Sequence, residues 1–491
     1  MAYVPTDPDD KPHEACGIFG IYGHPEAGNL TYLGLYALQH RGQEASGIVS
    51  YDGDQFHHEK GIGLVADVFS PERLSRLSGF SAIGHNRYAT TGGSLLANVQ
   101  PLIAQYALGS LAMAHNGNLV NTDSLRSMLE AEGALFQSTT DSEVILHFIA
   151  KSEQKRLIDK ISDALEQVRG AYCLLFLSPE GMIGVRDPYG VRPLSLGALK
   201  EGYVLASESC AFDLIGAKFV RDVQPGEILM INALGVSSFK PFAEAPIAQC
   251  VFEHVYFARP DSRIFSQDVY GIRKRLGREL AKEGPVEADL VIAVPDSGVA
   301  AALGFSEASG LPYENGLIRN HYVGRTFIEP REAIRNFGVK VKLNAVREVL
   351  EGKRVVVVDD SIVRGTTSRK IVKMIRMAGA REVHVRISSP PIISPCFYGI
   401  DTPTRQELIA FDHQIEEIRK QVLADSLYYL SMEGMFRAVY NSASGQNQHF
   451  CTACFSGNYP IPFADGALVQ PGLFDTPSDS VAGMANHPFL D

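Results

Sequence analysis

A cysteine near the start of the chain could act as a nucleophile. Cys16, in HEACGIFG, is followed by a glycine and an alternating apolar run. The preceding residues, 1–15, are rich in proline and acidic side chains and lack the apolar core of a signal peptide. A thiol needs a base to become a good nucleophile, and an N-terminal residue carries one in its own α-amine. Residues 1–15 are therefore either a disordered tail or a segment to be removed, and cleavage between Ala15 and Cys16 would make Cys16 such an N-terminal residue.

Polar motifs downstream could complete a site around that cysteine. Asn116, in AHNGNL, can donate its side-chain amide to a tetrahedral oxyanion, and Gly117 can donate its backbone N–H. Arg87, in GHNRYATTGG, can grip an α-carboxylate as a fork, and Asp141, in TTDSE, can pair with an α-ammonium. Each motif alone is more often structural, because HNG is usually a turn and a buried arginine usually an ion pair.

Two adjacent carboxylates follow a run of valines in KRVVVVDDSIVRGTTSRKIV. We predict a strand over Val355–Val358, with Asp359 and Asp360 at its carboxyl end and a helix that starts near Ser368. The loop between them suits a phosphate dianion, since it offers backbone N–H groups, hydroxyls and a helix N-terminus. Its candidate ligands are Ser361, Gly365, Thr366 and Thr367. The two carboxylates suit ribose hydroxyls and a hydrated Mg²⁺, and the alternative is a surface turn after a core strand.

A second predicted strand, in VIAVPDSG, brings Asp296, Ser297 and Gly298 to an equivalent position, where they could meet a pyrophosphate and its metal. The segment 316–344 is rich in arginine and lysine despite the acidic chain. Such cations could clamp a polyanion and close over it, although a solvated charged surface would have the same composition.

The remaining cysteines fall into two groups. Cys173 and Cys210 lie in apolar contexts and are expected to be ordinary buried thiols. The other group is Cys250, Cys396, Cys451 and Cys454, of which the last two form a CxxC. Such a set could hold zinc, an iron–sulfur cluster or nothing, and chemistry alone ranks zinc first.

Composition limits the class of protein. The chain has 491 residues, 45% hydrophobic and 21% charged, which is typical of a soluble globular protein, and no apolar run approaches the ~18 residues of a membrane span. Its net charge of −11 argues against broad nucleic-acid binding. Seven cysteines without a secretion signal do not indicate a disulfide framework, so we expect a reducing, cytoplasmic compartment.

The elements that must position these residues change character along the chain. From Ile18 to about Pro241 the sequence is rich in short strands, with one clear helix predicted over 140–150. Beyond about 250, unbroken apolar strands alternate with helical stretches, which is typical of a parallel sheet covered on both faces. The last segment, 456–491, contains no Lys or Arg and several prolines, and it reads as an extended tail.

Taken in order, the two sets of motifs resemble known families. Cys16 and its downstream motifs resemble the glutaminase domain of class II (N-terminal nucleophile, Ntn) glutamine amidotransferases. VVVVDDSIVRGTT resembles the phosphoribosyl pyrophosphate (PRPP) motif of type I phosphoribosyltransferases and lacks the GxxxxGK[ST] of a P-loop. A chain with both halves resembles the amidophosphoribosyltransferase family over about 16–455.

The resemblance implies a mixed α/β and α+β fold, with an αββα Ntn-hydrolase sandwich followed by a parallel-sheet phosphoribosyltransferase domain. It divides the chain into a propeptide (1–15), a glutaminase domain (16–245), a phosphoribosyltransferase domain (246–455) and a tail (456–491). The implied activity is hydrolysis of glutamine at Cys16 and channelling of ammonia to carbon 1 of PRPP. The products would be 5-phosphoribosylamine, glutamate and pyrophosphate, in the first committed step of purine synthesis.

The same resemblance implies roles for individual residues. The catalytic residues would be Cys16, Asn116 and Gly117, and the glutamine-binding residues Arg41, Arg87, Thr90 and Asp141. The PRPP-binding residues would be Arg325, Lys342, Asp359, Asp360, Ser361, Arg364, Gly365, Thr366 and Thr367. Magnesium would be bound at Ser297, Asp359 and Asp360.

One branch of the family carries a 4Fe-4S cluster on cysteines in these contexts, together with a short propeptide. The resemblance therefore favours a structural 4Fe-4S cluster over zinc at Cys250, Cys396, Cys451 and Cys454. It also implies AMP and GMP as feedback inhibitors and a homo-oligomer, a tetramer. One departure lies in TFIEPREAIR, where Glu329 and Glu332 replace the family's glutamines, and we expect altered PRPP affinity or regulation there.

Two rival interpretations remain. Other class II glutaminases serve glucosamine-6-phosphate, asparagine and glutamate synthesis, but their synthase halves lack the PRPP motif. A non-catalytic PRPP or nucleotide sensor would have no use for the oxyanion donors that accompany Cys16.

Overall fold

The computed structural model of the protein describes residues 16–88, 95–320, 343–402, 404–440 and 449–463. The predictions that fall outside these ranges concern the propeptide, Thr90, Arg325, Glu329, Glu332, Lys342 and the tail from 464 onward. Within them, no helix combines the length and apolar composition that crossing a membrane requires.

The first half of the chain folds into two antiparallel sheets. Its strands are β1 (Gly17–Tyr22), β2 (Ala45–Tyr51), β3 (Phe56–Ile62), β4 (Ser81–Arg87), β5 (Leu102–Tyr106), β6 (Gly109–Leu119), β7 (Gly170–Ser178), β8 (Gly181–Arg186), β9 (Ser195–Leu199), β10 (Gly202–Ala206), β11 (Lys218–Asp222), β12 (Ile228–Asn232) and β13 (Gly235–Phe239). The order of described strands is β11-β9-β10-β1-β4-β2-β3 in one sheet and β13-β12-β8-β7-β6-β5 in the other. In both sheets, every pair of neighbours is antiparallel.

Helices cover the outer face of each sheet. They are α1 (Ala27–Ala37), α2 (Val65–Val68), α3 (Pro71–Leu74), α4 (Thr122–Ala131), α5 (Glu143–Lys151), α6 (Leu157–Leu165) and α7 (Cys210–Ile215), with 3-10 turns at Gln39–Arg41 and Leu96–Asn98. The alternation of strand side chains separates the layers, since Ile18 packs between the two sheets while Phe19 and Ile21 pack against α1 and α7. The predicted αββα sandwich is confirmed.

The second half of the chain is built around a parallel sheet, with short strand pairs outside it. The strands of this half are β14 (Gln249–Cys250), β15 (Arg263–Ile264), β16 (Gln267–Asp268), β17 (Leu290–Ala293), β18 (Leu317–Arg319), β19 (Leu343–Ala345), β20 (Arg354–Asp359), β21 (Glu382–Ile387), β22 (Ser426–Tyr429) and β23 (Phe450–Cys451). Its helices are α8 (Val269–Glu283), α9 (Val299–Ser309), α10 (Arg347–Leu350), α11 (Thr366–Met377), α12 (Ile409–Asp412), α13 (Ile415–Val422), α14 (Met432–Tyr440) and α15 (Ala453–Ser456). A π-helical turn spans Glu253–Phe257, and a 3-10 turn spans Arg405–Glu407.

The parallel sheet has the order β17-β20-β21-β22 among the described strands. Val355 and Val357 of β20 pack into the core on one face, whereas Val356 and Val358 pack into the core on the other. This two-sided burial explains the unbroken valine run, because neither face of the strand meets water.

Two predicted helix boundaries were displaced. The helix predicted from 140 begins at Glu143, and the one predicted near Ser368 begins earlier, at Thr366. The predicted ends differ from the observed ones by two or three residues, because the terminal turn of a helix has no periodic signal of its own.

Residues 456–463, which the sequence analysis assigned to an extended tail, are packed against the second domain. The hydroxyl of Tyr398 donates to the carbonyl of Ile461 at 2.9 Å, and the hydroxyl of Tyr459 donates to the carbonyl of Pro395 at 2.6 Å. Ile461 is almost fully buried. Residues 456–463 therefore belong to the packed second domain.

Candidate active site

Cys16 immediately precedes β1, a strand held between β10 and β4. Its thiol is partly buried and donates to the carbonyl of Tyr88 at 3.5 Å. Burial raises the pKa of this thiol, while the nearby cations of Arg87 and Arg192 act in the opposite direction. A thiol in such surroundings is protonated near neutral pH, so it needs a base to react.

The predicted oxyanion donors lie at the end of β6, close to Cys16. The side-chain amide of Asn116 donates to the hydroxyl oxygen of Ser207 at 3.3 Å, and the backbone N–H of Ile18 donates to the same oxygen at 3.0 Å. Ser207 thus joins the strand that follows Cys16 to the strand that carries Asn116. Sequence reasoning missed this serine, since nothing in ASESCAF distinguishes it from a turn residue.

Gly117 has a backbone conformation that only glycine adopts easily, with φ of +151°. A Cβ at this position would lie 2.0 Å from the carbonyl oxygen of Ala171 on β7. No other residue therefore fits without moving the sheet. The backbone at the predicted oxyanion hole is closely packed on that side.

Asp141 and Arg87, the predicted anchors for an amino acid, are both buried near Cys16. Asp141 accepts hydrogen bonds from the backbone N–H of Leu119 at 2.9 Å and from the hydroxyl of Ser142 at 3.0 Å. Burial raises the pKa of the Asp141 carboxyl, but His115 and these hydrogen bonds outweigh burial and hold the pKa below its usual value. The side chain is therefore an anion that could pair with an ammonium group.

Arg41, predicted to bind glutamine, takes part in a buried ion-pair network. Its guanidinium lies 2.5 Å from Glu208 and 2.7 Å from Glu253, and its Nε donates to the carbonyl of Cys16 at 3.3 Å. Arg192 lies 3.2 Å from the same Glu253 carboxylate. Because Glu253 belongs to the second domain, the network connects that domain to the backbone of Cys16.

Sequence reasoning missed Arg192, Glu208 and Glu253. A signal was present for one of them, because Glu253 interrupts the apolar run QCVFEHVYF, and a carboxylate in such a run is buried at a cost unless it is paired. Its partner Arg41 is distant in the sequence, so only packing reveals the pair.

The valine strand β20 ends at the predicted carboxylates, and Asp359, Asp360 and Ser361 are all buried there. The backbone N–H of Asp360 donates to the Asp359 carboxylate at 2.9 Å, and the hydroxyl of Ser361 donates to the Asp360 carboxylate at 2.6 Å. Gly365, with φ of +78°, turns the chain into α11. Thr366 and Thr367, predicted to bind the phosphate of PRPP, lie in the first turn of that helix.

The loop that carries Ser297 lies beside this strand end. The backbone N–H of Val294 donates to the carbonyl of Val358 at 2.9 Å, and a Cβ at Gly298 would lie 2.5 Å from that same oxygen. The structure thus brings the two predicted strand ends together. Arg364, predicted to bind PRPP, forms an ion pair with Glu407 at 3.0 Å in this structure.

The four remaining predicted ligands, Cys250, Cys396, Cys451 and Cys454, line one cavity together with Arg192. Cys250 and Cys451 are register partners in the parallel pair β14–β23. Burial raises the pKa of Cys454 well above its usual value, and the other three cysteines raise it further. In the described ranges, however, no three His, Cys, Asp or Glu side chains are arranged to hold a metal ion. Cys173 and Cys210 are buried, as predicted.

The fold and the two groups of residues define a class II glutamine amidotransferase domain joined to a phosphoribosyltransferase-type domain. A family model described as a glutamine amidotransferase domain matches residues 85–213. An amidophosphoribosyltransferase of Bacillus subtilis is 53% identical over 91% of this chain and 94% of its own length, and a chloroplastic one of Vigna aconitifolia is 52% identical over 94% of both chains. This chain belongs to the amidophosphoribosyltransferase family, the enzymes of the first step of purine synthesis.

Solved structures agree with this assignment. A glutamine PRPP amidotransferase from B. subtilis, complexed with ADP and GMP, matches with a TM-score of 0.88 and 52% identity, over 92% of this chain and 98% of that one. A structure described as the allosteric regulatory enzyme of purine biosynthesis matches with a TM-score of 0.89 and 52% identity, over 92% of this chain and 97% of that one. The expected fold class and the expected activity are confirmed.

Proposed function

We propose that this chain hydrolyses glutamine at Cys16 and delivers the ammonia to carbon 1 of PRPP, which is bound at the end of β20. The observation that carries the proposal is the gathering of Cys16, Arg87, Asn116 and Asp141 at one end of the sandwich, in a chain whose second domain supplies the Asp359 loop. The buried contact between Arg41 and Glu253 connects these two domains.

The steps proposed for glutamine hydrolysis are based on the side chains around Cys16. Cleavage after Ala15 frees the α-amine of Cys16, which takes the thiol proton. The thiolate attacks the glutamine amide carbon, and the oxyanion accepts hydrogen bonds from the amide of Asn116 and the N–H of Gly117. The α-ammonium of Cys16 then gives its proton to the amide nitrogen, so that collapse of the intermediate breaks the C–N bond, expels ammonia and leaves a thioester on Cys16. Water then hydrolyses the thioester to glutamate and restores the thiol.

Substrate anchoring comes from two buried charges. The Asp141 carboxylate, whose pKa lies below its usual value, would accept the α-ammonium of glutamine. Arg87 would hold the α-carboxylate as a fork, and its positive charge also favours the Cys16 thiolate. Binding and activation thus depend on the same guanidinium.

The synthase half uses the loop that follows β20. Asp359 and Asp360 would hold the ribose hydroxyls, and the N-terminus of α11 would bind the 5-phosphate. Ammonia then displaces pyrophosphate from carbon 1. Mg²⁺, when bound, supplies charge neutralisation for the departing pyrophosphate. Ser297, Asp359 and Asp360 suit it, because Mg²⁺ usually keeps several waters and takes few protein ligands besides substrate phosphates.

We assign the cysteine cavity to a 4Fe-4S cluster with a structural role. Four thiols line one cavity, and four thiolates are the ligand set that a 4Fe-4S cluster takes. The buried cation of Arg192 lines the same cavity and would offset the charge of the thiolates. Cys250 lies at the start of the second domain and Cys451 near the end of the chain, so the cluster would hold these segments together.

The similarity to a structure complexed with ADP and GMP supports binding of purine nucleotides, and we propose AMP and GMP as feedback inhibitors. We also propose a homotetramer. A reactive thiol and four thiolate ligands need a reducing environment, which supports the cytoplasmic location expected from the sequence.

The test of the proposed function measures glutamate release from glutamine with and without Mg-PRPP, alongside pyrophosphate release. We expect PRPP to stimulate glutamate release and pyrophosphate to form in equal amount. Cys16→Ser should abolish glutamine-dependent synthesis and leave ammonia-dependent synthesis intact. Uncoupled glutamate release without pyrophosphate would refute the substrate assignment, and loss of both activities in Cys16→Ser would refute separate sites.

The cluster has its own test. Protein purified without oxygen should contain about four iron atoms per chain and no zinc, as expected for one 4Fe-4S cluster. Cys454→Ser should lose the iron, whereas Cys210→Ser, which changes a buried thiol outside the cavity lining, should retain it. A colourless protein with zinc and no iron would refute the assignment.

A further inference from the structure

A loop of the second domain presses directly on the predicted oxyanion hole. This loop, residues 396–400, begins at Cys396 and will be called the cysteine loop. A Cβ at Gly399 would lie 2.8 Å from the carbonyl carbon of Gly117 and 2.9 Å from its Cα and oxygen. Real Cβ atoms do not approach backbone atoms so closely, so only a glycine at 399 permits this contact.

A hydrogen bond joins the same two segments next to that contact. The side-chain amide of Asn118 donates to the backbone carbonyl of Phe397 at 3.0 Å. Gly117 itself is confined from another direction, because Ala171 of β7 closes the space beside its Cα. The backbone of Gly117 is therefore held between a strand of its own domain and the cysteine loop of the other.

The cysteine loop is firmly anchored. The backbone N–H of Cys396 donates to the hydroxyl of Thr402 at 2.7 Å. The hydroxyl of Tyr398 is fully buried, donates to the carbonyl of Ile461 at 2.9 Å and accepts from its N–H at 3.0 Å. Because the loop is held at Cys396 and at Tyr398, it can fix the position of the backbone that it contacts.

We infer that the cysteine loop positions the oxyanion hole, with Gly399 and Asn118 as the positioning residues. The inference rests on the proposed function, since it takes the N–H of Gly117 as an oxyanion donor. That N–H must point at an oxygen that exists only in the transition state, so a displacement of a fraction of an ångström weakens transition-state binding more than glutamine binding. The phosphoribosyltransferase domain thereby contributes to glutamine hydrolysis without touching glutamine.

The test compares two glycine-to-alanine variants. Gly399 has φ of +97° and the close contact with Gly117, whereas Gly133 has φ of +93° in an exposed turn where an added Cβ would meet no atom within 4 Å. Both substitutions impose the same backbone strain, and only one pushes on Gly117. We expect Gly399→Ala to lower kcat for glutamine hydrolysis at least tenfold, with KM changed less than twofold and ammonia-dependent synthesis retained. Gly133→Ala should match the wild type.

A kcat for Gly399→Ala equal to that of Gly133→Ala would overturn the inference. Asn118→Ala provides a second variant that adds no atoms, so it serves even where Gly399→Ala fails to fold. It removes the hydrogen bond to Phe397 and should lower kcat with KM unchanged. A rise in KM alone, or wild-type kinetics, would count against positioning.

Asn116→Ala, measured in parallel, separates this inference from the proposed function. If Asn116→Ala retains wild-type kcat, the oxyanion hole itself is wrongly assigned. If Asn116→Ala loses activity while Gly399→Ala and Asn118→Ala retain it, only the positioning role fails.

Discussion

Ser207→Ala gives the most direct test of how the candidate oxyanion hole is built. The serine hydroxyl is buried and accepts hydrogen bonds from the N–H of Ile18 at 3.0 Å and from the amide of Asn116 at 3.3 Å. Alanine fits the space but leaves both donors without this acceptor. Each unsatisfied buried donor costs about 1–3 kcal/mol, so two of them should lower the free energy of unfolding by roughly 2–6 kcal/mol.

The same change should weaken catalysis. Loss of an oxyanion donor typically lowers kcat by about 10²–10³. In Ser207→Ala the donor remains but is released from its partner, so we expect kcat for glutamine hydrolysis to fall roughly 10- to 100-fold with KM nearly unchanged. Ammonia-dependent synthesis should persist, because the Asp359 site lies in the other domain.

The assay is glutamate release at saturating glutamine and Mg-PRPP, combined with thermal unfolding. Ser195→Ala serves as the matched control, since this serine is also buried in the first domain and donates to Asp222 at 2.9 Å, away from Cys16. It should lower stability by about 1 kcal/mol and leave kcat unchanged. If Ser207→Ala loses stability but keeps kcat within about threefold of the wild type, Ser207 does not position the donor and the reasoning is refuted.

Three further predictions concern other parts of the chain. Asp359→Ala should abolish both glutamine- and ammonia-dependent synthesis because both need bound PRPP, and normal ammonia-dependent turnover would refute the ribose assignment. Glu253→Ala should lower the free energy of unfolding by about 3–5 kcal/mol, because it leaves the buried Arg41 guanidinium with one carboxylate fewer. Glu307→Ala, which removes an exposed partner of Lys274, should lower it by under about 1 kcal/mol. Equal losses in the two variants, measured by chemical denaturation, would contradict the network. Burial lowers the pKa of His85 and of His254 to about 3. The unfolded chain binds protons at these sites below pH ~6.5 while the folded chain does not, so each should reduce stability by about 1.4 kcal/mol per pH unit as the pH falls from ~6.5 toward 3. His254→Leu should remove one such contribution, so its free energy of unfolding should fall less steeply as the pH is lowered. If the free energy of unfolding falls between pH 6.5 and 5 as steeply in the variant as in the wild type, the prediction is wrong.

Much of the fold could be predicted because its signals are local. The valine run of β20 is buried on both faces, and the strands of the sandwich alternate between two cores, so periodicity alone indicated their environments. The candidate site was predictable in part for a similar reason. Asn116 and Gly117 are adjacent in the sequence, as are Asp359 and Asp360, and short motifs keep such groups together in any fold.

The contacts around the site were harder to predict from the sequence. Arg41 was predicted to bind glutamine, and the sequence did not show that its guanidinium also contacts Glu208 and Glu253 or that its Nε contacts the backbone of Cys16. These contacts depend on which carboxylates fold against the arginine. No residue near Arg41 in the sequence carries that information, because the partners belong to distant segments and one lies in the other domain.

The sequence by itself determined which residues can do chemistry here. They are a cysteine whose α-amine would act as its base after cleavage, the amide and backbone donors for an oxyanion, and the paired carboxylates at a strand end. Tertiary structure alone decided what holds them in place. Asn118 and Phe397 are 279 positions apart, and their contact depends on how two domains pack. Residue type sets the chemistry a group can perform, but the sub-ångström position on which catalysis depends comes from close packing among distant segments, which no local pattern encodes.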